Sequence, residues 1–527
     1  MASNVAAMLI LGLLLSVITL MGRSTIVSSG VMERASTAAI ERATSRANTN
    51  FTIESIAVFG TTVTIELKNT GSTTATDYTH MDFIADYVGG GSTIITRLTY
   101  TEGALLADEW KKSSISPDNL EEDTWNRTEV LTLDGRLSSS PDTSTTATFA
   151  VGTPDGVTRT ISVVVDAAIN DILEVDQGQS PKIIPVSGDI YAVPYEGAGD
   201  DGFLKTVEIA SSGEIRDEEL DSLEFDTSNG ETPDIIGISG DVYAIAYEGN
   251  GSDGFLKTVT IATDGQITDP VVDTLEFDTS QGKEPNIISI SGDVYAIAYA
   301  GDRDDGFLKT VTIATDGQIT SPVIDTLEFD TQQGREPQII PISGDVYAIA
   351  YRGRNDDGFL KTVTIATDGT ITNSVIDTFE FDNSNGEEPN MLPISGDVYA
   401  IAYRGPDDDG TLATVTIATD GTITNSVIDT LEFDAVRGVA ADMMAIANDV
   451  YAIAYEGSGS DGFLTTVTIA TDSQITDPVI DTFEFETSNG QDPEIIPVAG
   501  VYAIAYEGPG TNVFLQTLQI LTDGQIP

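Results

Sequence analysis

The spacing of apolar positions divides the chain into three stretches. Val5 to Met21 is almost unbroken apolar, VAAMLILGLLLSVITLM, a length at the lower limit for crossing a bilayer core. Ile26, Val27, Val31, Met32, Ala35, Ala39, Ile40 and Ala43 then recur every three to four residues. That spacing predicts a long helix over residues 1–48, weakened locally at Gly22 and Gly30. From Phe51 the period falls to two. FTIESIAVFG, TTVTIELKNTG, MDFIADYVGG and STIITRLTY read as strands between Gly/Asn turns, and TATFAVGTPDGVTRTISVVV reads as a hairpin turning at Pro154-Asp155-Gly156. About seven short strands over residues 49–168 predict a small β-sandwich.

From about residue 169 the pattern repeats. A tyrosine in the strand D-V-Y-A-I-A-Y falls at Tyr191, Tyr243, Tyr295, Tyr347, Tyr399, Tyr451 and Tyr502, a spacing of 52 residues that ends on one of 51. Each unit holds four strand-length runs, as in PNIISIS, DVYAIAY, FLKTVTIAT and VIDTLEFD, with a T-D-G turn such as Thr263-Asp264-Gly265 between the third and fourth. The last unit stops at LTDGQIP, where its fourth strand should begin. Ile172-Leu173-Glu174-Val175-Asp176, ahead of the first unit, matches Leu275-Glu276-Phe277-Asp278. This offset predicts a seven-bladed β-propeller over 169–527 whose N-terminal strand completes the last blade and removes an exposed edge. The expected fold class is therefore mainly β: an N-terminal hydrophobic α-helix, a β-sandwich, then the propeller.

Charge sharpens this division. Residues 1–168 carry 11 Lys+Arg and 19 Asp+Glu, a balance of −8, whereas residues 169–527 carry 13 and 65, a balance of −52. So acidic a domain repels nucleic acid and anionic headgroups and suits a salt-screened exterior. There is no cysteine, which excludes disulfides and thiolate metal sites, and the single histidine, His80, excludes His-based triads in the repeats. Only Met-Ala-Ser-Asn precedes the apolar run and no Ala-x-Ala site follows it closely, so residues 5–21 are expected to be retained, as an anchor in a membrane or a packing surface for like helices. Arg23, Arg34, Arg42 and Arg46 would by the positive-inside rule lie in the cytoplasm. The acidic β-rich bulk argues instead for export, and it sets the expected location, the outer side of the cell envelope.

Candidate chemistry lies in the loops. The loop after the second strand carries an Asp-Gly element in six of the seven units, with Thr511-Asn512 in the last, and doubled acids make Asp305, Asp357, Asp408 and Asp409 calcium candidates. The alternative is a plain hairpin in which Asp tolerates left-handed backbone. The connection from fourth to first strand, expected on the same face, carries Gly230-Glu231, Lys283-Glu284, Arg335-Glu336, Glu387-Glu388 and Gln491-Asp492. Unit six breaks the repeat: Ala435 to Met444 replaces the usual Gly-x-Glu-Pro segment, so Arg437, Met443 and Met444 are candidate contact residues. Tyr243 and Tyr247, four apart on one strand, share a face, where core packing competes with glycan stacking. Asn50, Asn126 and Asn250 head sequons that count only on an exported chain. Carboxylates recur blade by blade, whereas an active site breaks symmetry, so no catalytic residue is assigned and an enzyme is not expected. No cofactor other than calcium is implied.

The start MASNVAAMLILGLLLSVITL, the long helix, the segment TTVTIELKNTGSTTATDYTHMDFIADYV with Lys68-Asn69-Thr70-Gly71, and Asp108-Glu109-Trp110 together resemble archaeal flagellar (archaellum) accessory proteins of the F and G type. The resemblance covers about residues 1–168. It implies a type-IV-pilin-like helix on a β-sandwich, a place between membrane and surface layer, and archaellum, pilus or surface-layer components as partners. The expected function is then a membrane-anchored cell-surface structural or adhesion protein displaying a propeller for protein or glycan binding. The alternatives are a pilin-like filament subunit with the propeller decorating the outside, and a propeller hydrolase or lyase.

Overall fold

The computed structural model describes residues 46, 48–59, 61–76, 78–103, 105–117, 124–139, 141–142, 145–164, 171–216, 218–498 and 500–527. The chain divides into two compact units, Met1–Ala167 and Ala168–Pro527.

The first unit has eight strands: β1 (Phe51–Phe59), β2 (Thr62–Asn69), β3 (Asp82–Gly89), β4 (Ser92–Tyr100), β5 (Glu109–Ser116), β6 (Val130–Arg136), β7 (Thr146–Gly152) and β8 (Thr158–Val164). They form one sheet in the order β1-β2-β6-β5-β4-β3-β7-β8 rather than the two layers of a sandwich. The sheet curls until its edges meet: Arg159 Nε on β8 donates to Phe51 O on β1 at 3.0 Å. Two short parallel pairings, Thr99 with Glu109 and Tyr100 with Trp110, join the halves. Trp110 packs edge-on against Phe83 and Tyr100 inside the curl. In the Lys68-Asn69-Thr70-Gly71 motif, Asn69 is buried; its Nδ2 donates to Trp125 O at 3.1 Å and Thr73 O at 2.9 Å, and its Oδ1 accepts from Gly71 N at 3.0 Å. The amide thus clamps the turn that follows β2.

The second unit opens with β9 (Asp171–Gln179). Blade one follows as β10 (Ile184–Ser187), β11 (Ile190–Gly197), β12 (Gly202–Glu208) and β13 (Asp221–Asp226), and blade two as β14 (Glu231–Ser239), β15 (Val242–Glu248), β16 (Gly254–Thr260) and β17 (Asp273–Asp278). Blades three to six repeat this four-stranded antiparallel order. Blade seven has three strands of its own, Gln491–Val498, Val501–Gly508 and Asn512–Leu518, and takes β9 as its fourth. The antiparallel register runs from Asn512 opposite Gln177 to Thr517 opposite Asp171, so the partner segment is Asn512–Thr517. The far end of β9 then pairs with β11, Gln179 opposite Glu196, carrying the chain from the last blade into the first.

Blades one to six bury the D-V-Y-A-I-A-Y strand from its first tyrosine to its second, while the leading Asp stays exposed, which explains the continuous apolar run. Both tyrosines are core residues; Tyr243 is 5% exposed and Tyr247 fully buried. The second-to-third-strand loops and the fourth-to-first connections do share a face, because Gly282 N donates to Ser252 O at 2.7 Å and the equivalent bond recurs at the other six loops, Gly178 N to Thr511 O at the seam included. Glycine is obligatory at that contact: a Cβ on Gly282 would sit 2.3 Å from Gly254 Cα.

Neighbouring blades are joined by a repeated polar lock. Tyr247 OH and Lys257 Nζ, both in blade two, donate to Asp226 Oδ2 on the outer strand of blade one at 2.7 and 2.8 Å. Lys257 also donates to Phe225 O and lies over the Tyr247 ring at 5.5 Å. Burial alone would raise the Asp226 pKa, but these donors hold its carboxyl below the ordinary range. Asp278 with Tyr299 and Lys309, and Asp330 with Tyr351 and Lys361, repeat the arrangement. At the seam β9 supplies the acid: Asp176 accepts from Tyr195 and Lys205, each at 2.8 Å. In the remaining interfaces Ala413, Thr465 and Gln516 stand where lysine would be.

The expected fold class is corrected. The described chain is all-β, with no helix of seven or more residues. The helix expected over residues 1–48, with its apolar segment 5–21, lies almost wholly outside the described residues, and no helix among the described residues is long and apolar enough to cross a membrane.

Two predictions follow from the ring. Deleting residues 171–177 strips blade seven of its edge strand and the seam of Asp176, so chemical unfolding should show a loss of several kcal/mol. Unchanged unfolding of the truncated chain would contradict closure. Asp278→Ala leaves the buried Lys309 ammonium without its carboxylate and is expected to cost about 3–5 kcal/mol. Asp382→Ala, whose interface lacks the lysine, removes the Tyr403 hydrogen bond and two loop N–H contacts and should cost about 1–2 kcal/mol. Equal losses would show that the lysine does not set the strength of the lock.

Candidate functional site: the axial chamber

Each blade begins with the same three-residue step: Ser180-Pro181-Lys182, Thr232-Pro233-Asp234, Glu284-Pro285-Asn286, Glu336-Pro337-Gln338, Glu388-Pro389-Asn390, Ala440-Ala441-Asp442 and Asp492-Pro493-Glu494. The first residue of every step has a positive φ, between 46° and 51°. Left-handed backbone is costly for residues other than glycine, most of all for β-branched Thr232, and it persists only where surrounding structure enforces it. The register of each inner strand shifts here, as between Glu231 and Asp234. These bulges line a chamber on the axis of about 370 Å³.

The steps are tied head to tail around the axis. Ile287 N donates to Asp234 Oδ2 at 2.8 Å, Ile339 N to Asn286 Oδ1 at 3.0 Å, Met443 N to Asn390 Oδ1 at 3.2 Å, Ile495 N to Asp442 Oδ2 at 2.8 Å and Ile183 N to Glu494 Oε2 at 2.9 Å. A second tier links Glu336 N to Glu284 Oε2 and Glu388 N to Glu336 Oε2, both at 2.7 Å, and Ala440 N to Glu388 Oε2 at 2.6 Å. Lys182 interrupts the first tier, because an ammonium cannot accept the next blade's N–H.

The electrostatics follow from crowding. Attraction to Glu494, against the cost of burial, raises the Lys182 pKa, so the lysine keeps its proton. Burial raises Asp234, Asp442, Asp492 and Glu494 in turn, with Lys182 opposing in each case; one cation cannot compensate four acids. Burial, then the neighbouring Glu336 carboxylate, pushes Glu284 up to about 7. Glu336 and Glu388 are raised mainly by burial, and Arg352 Nη1 reaches Glu336 at 3.2 Å from behind.

The residues singled out by sequence lie elsewhere. Asp305, Asp357 and Asp409 close their loops, their carbonyls accepting from Gly301, Gly353 and Gly405 at 2.8, 2.8 and 2.7 Å. Asp408 is held by Arg404, whose Nε donates at 2.8 Å. These aspartates stand on separate blades or are tied to arginine, and no group of three or more acidic or histidine side chains among the described residues is placed to hold a metal ion. The apolar contact patch is also corrected. Met443 is 4% exposed in the core, Met444 packs against blade seven, and Arg437 Nη2 pairs with Glu456 at 2.7 Å. Asn50 and Asn250 are exposed, but Asn126 is buried with its Nδ2 donating to Thr124 O at 3.0 Å, which closes that sequon to a glycan.

Sequence reasoning placed Glu284, Glu336, Glu388 and Asp492 on one face but passed over Lys182, Asp234, Asp442 and Glu494. The available signal was variation: strand residues are nearly constant between units, whereas the residues flanking the proline differ among most blades, Glu284-Pro285-Asn286 and Glu388-Pro389-Asn390 being the repeated pair.

The raised carboxyls set a pH dependence. A native state that holds protons the unfolded chain releases loses stability as pH rises from the ordinary carboxylate range through the native values. The melting temperature should therefore fall between about pH 4.5 and 7, the unfolded glutamate value and that of Glu284. Glu388→Gln should flatten the slope; a melting temperature that rises across this interval would contradict the assignment.

No family model matches the chain, and no curated protein matches it. Among solved structures it is similar to the archaellum periplasmic stator protein FlaG from Sulfolobus acidocaldarius, at 21% identity and TM-score 0.17, over 22% of this chain and 99% of that one. The stator complex of FlaF and FlaG from the same organism matches at 18% identity and TM-score 0.18, over 21% and 87%. A putative 6-phosphogluconolactonase from Bacteroides uniformis matches at 11% identity and TM-score 0.47, over 64% and 95%. The likeness to archaellum stator proteins thus extends over about a fifth of the chain.

Proposed function

We propose that the protein is a non-enzymatic binding protein of the cell exterior that takes its partner at the axial chamber. The observation that carries this reading is the chamber itself: seven strained steps from seven blades converge on one polar cavity, and strain of this kind gathers at functional sites. The carboxyls there are engaged by backbone N–H groups of the next blade, which fits recognition better than acid–base turnover. The balance of −52 over residues 169–527 favours a salt-screened exterior. The resemblance of residues 1–168 to archaellum accessory proteins supports envelope components as partners, with the first unit as the attachment module.

The test uses the full chain and envelopes isolated from the cells that make it. Wild-type protein should sediment with envelopes, and a variant carrying Lys182→Met and Asp492→Asn, with native melting behaviour, should remain largely in the supernatant. Equal sedimentation of the two would show that the chamber is not the recognition surface.

A further inference from the structure

We propose that the axial chamber binds a neutral polyhydroxylated ligand, the terminal sugar unit of a glycan; this rests on the chamber being the recognition site. Two donors point to it. Lys182 Nζ lines the chamber without a hydrogen bond or ion pair to any described residue, although the acids around it attract it. Thr232 Oγ1, on the adjacent blade and also lining the chamber, is shielded from solvent and has no hydrogen-bond partner. Thr232 Oγ1, unpaired and buried, carries a desolvation cost that a ligand can relieve, and Lys182 offers its ammonium protons to an acceptor placed in the chamber.

The surroundings ask for the opposite. Asp492 accepts only a long contact of 3.4 Å from Ser180 Oγ, which leaves oxygen positions open beside Lys182. A ligand must therefore offer acceptors and donors side by side. An inorganic or alkylammonium cation brings no acceptor for Lys182 or Thr232. An anion meets six lining carboxyl groups, Asp234, Glu284, Glu336, Glu388, Asp442 and Asp492. An alcohol O–H accepts and donates at one atom, and vicinal hydroxyls on a ring repeat that pair at fixed spacing.

Shape agrees. A cavity of about 370 Å³ holds one sugar unit. The proline rings of six of the seven steps present apolar C–H surface beside the polar groups, matching the mixed faces of a pyranose. Blade six replaces Glu-Pro with Ala440-Ala441, which breaks the near-sevenfold symmetry and gives an asymmetric ligand one preferred orientation.

Saturation-transfer NMR on the full chain tests this, with glucose, mannose and galactose as probes and spermidine and citrate as controls. At least one hexose should show transfer, and Lys182→Met and Thr232→Val should each weaken its binding about tenfold. The Thr232→Val change is nearly isosteric and stands alone if Lys182→Met alters melting. The bound hexose should also release the protein from envelopes. Absence of transfer from all three hexoses, equal binding by wild type and Thr232→Val, or binding of spermidine alone would overturn the proposal. Envelope sedimentation that depends on the chamber while no hexose binds would leave the recognition reading standing and remove the sugar.

Discussion

The second unit depends on β9 lying where it does. A ring of sheets ends in two open edges unless one strand is borrowed across the seam, and here the borrowed strand comes from the opposite end of the blade sequence. β9 supplies more than backbone pairing. Its Asp176 repeats the acid of every other inter-blade lock, and its Asp171 accepts from Ile215 N at 2.7 Å as Asp221 does from Ile267 N at 2.8 Å in the next blade. Thr517 Oγ1 donates to Gly213 O across the seam at 2.6 Å, as Thr258 does to Gly317. The seam is chemically the same as the other interfaces, so the strand closes the ring without a weak joint.

Closure then determines the axis. Seven inner strands can meet only if their starts bend, and the bend appears as seven left-handed residues ahead of the buried step. Once bent, side chains that are surface groups in an isolated blade face one another. Each becomes the acceptor for the next blade's backbone, and carboxylates that would be separated by water are crowded enough to resist ionisation. The polar chamber is a consequence of the circular geometry, and its polar groups stand beside the proline of each step or, in blade six, beside Ala441.

The placement of positive charge follows the same logic. The 13 Lys+Arg of residues 169–527 are few beside 65 acids. Four lysines, Lys205, Lys257, Lys309 and Lys361, are spent on inter-blade locks, where burial makes an ion pair count. Lys182 sits at the axis. Arg335, Arg352 and Arg437 tie acidic groups of adjacent blades together, with Arg352 bridging Glu336, Asp356 and Glu387, while Arg404 holds Asp408 and Glu387 within its own blade. The remaining surface is left acidic.

What the sequence alone determined is local or periodic. A 52-residue period, four apolar runs per unit and an offset by one strand are enough to specify antiparallel blades and a borrowed closing strand, because hydrogen-bonding edges must be paired. The alternation from Phe51 likewise gave β-structure, and the burial of both repeat tyrosines follows from a strand covered on both faces. Tertiary structure decided the rest. Whether eight strands form two layers or one curled sheet depends on a two-residue parallel pairing between β4 and β5 that no local pattern encodes. Met443 points inward because its place in the strand alternation, and not its membership of an irregular segment, sets its direction. Asn126 heads a sequon yet lies under its neighbours. The helix read from residues 1–48 lies almost wholly outside the described residues. Lys182, Asp234, Asp442 and Glu494 meet only when blades separated by 52 residues or more are bent around one axis, so their shared chemistry exists in the closed ring and nowhere along the chain.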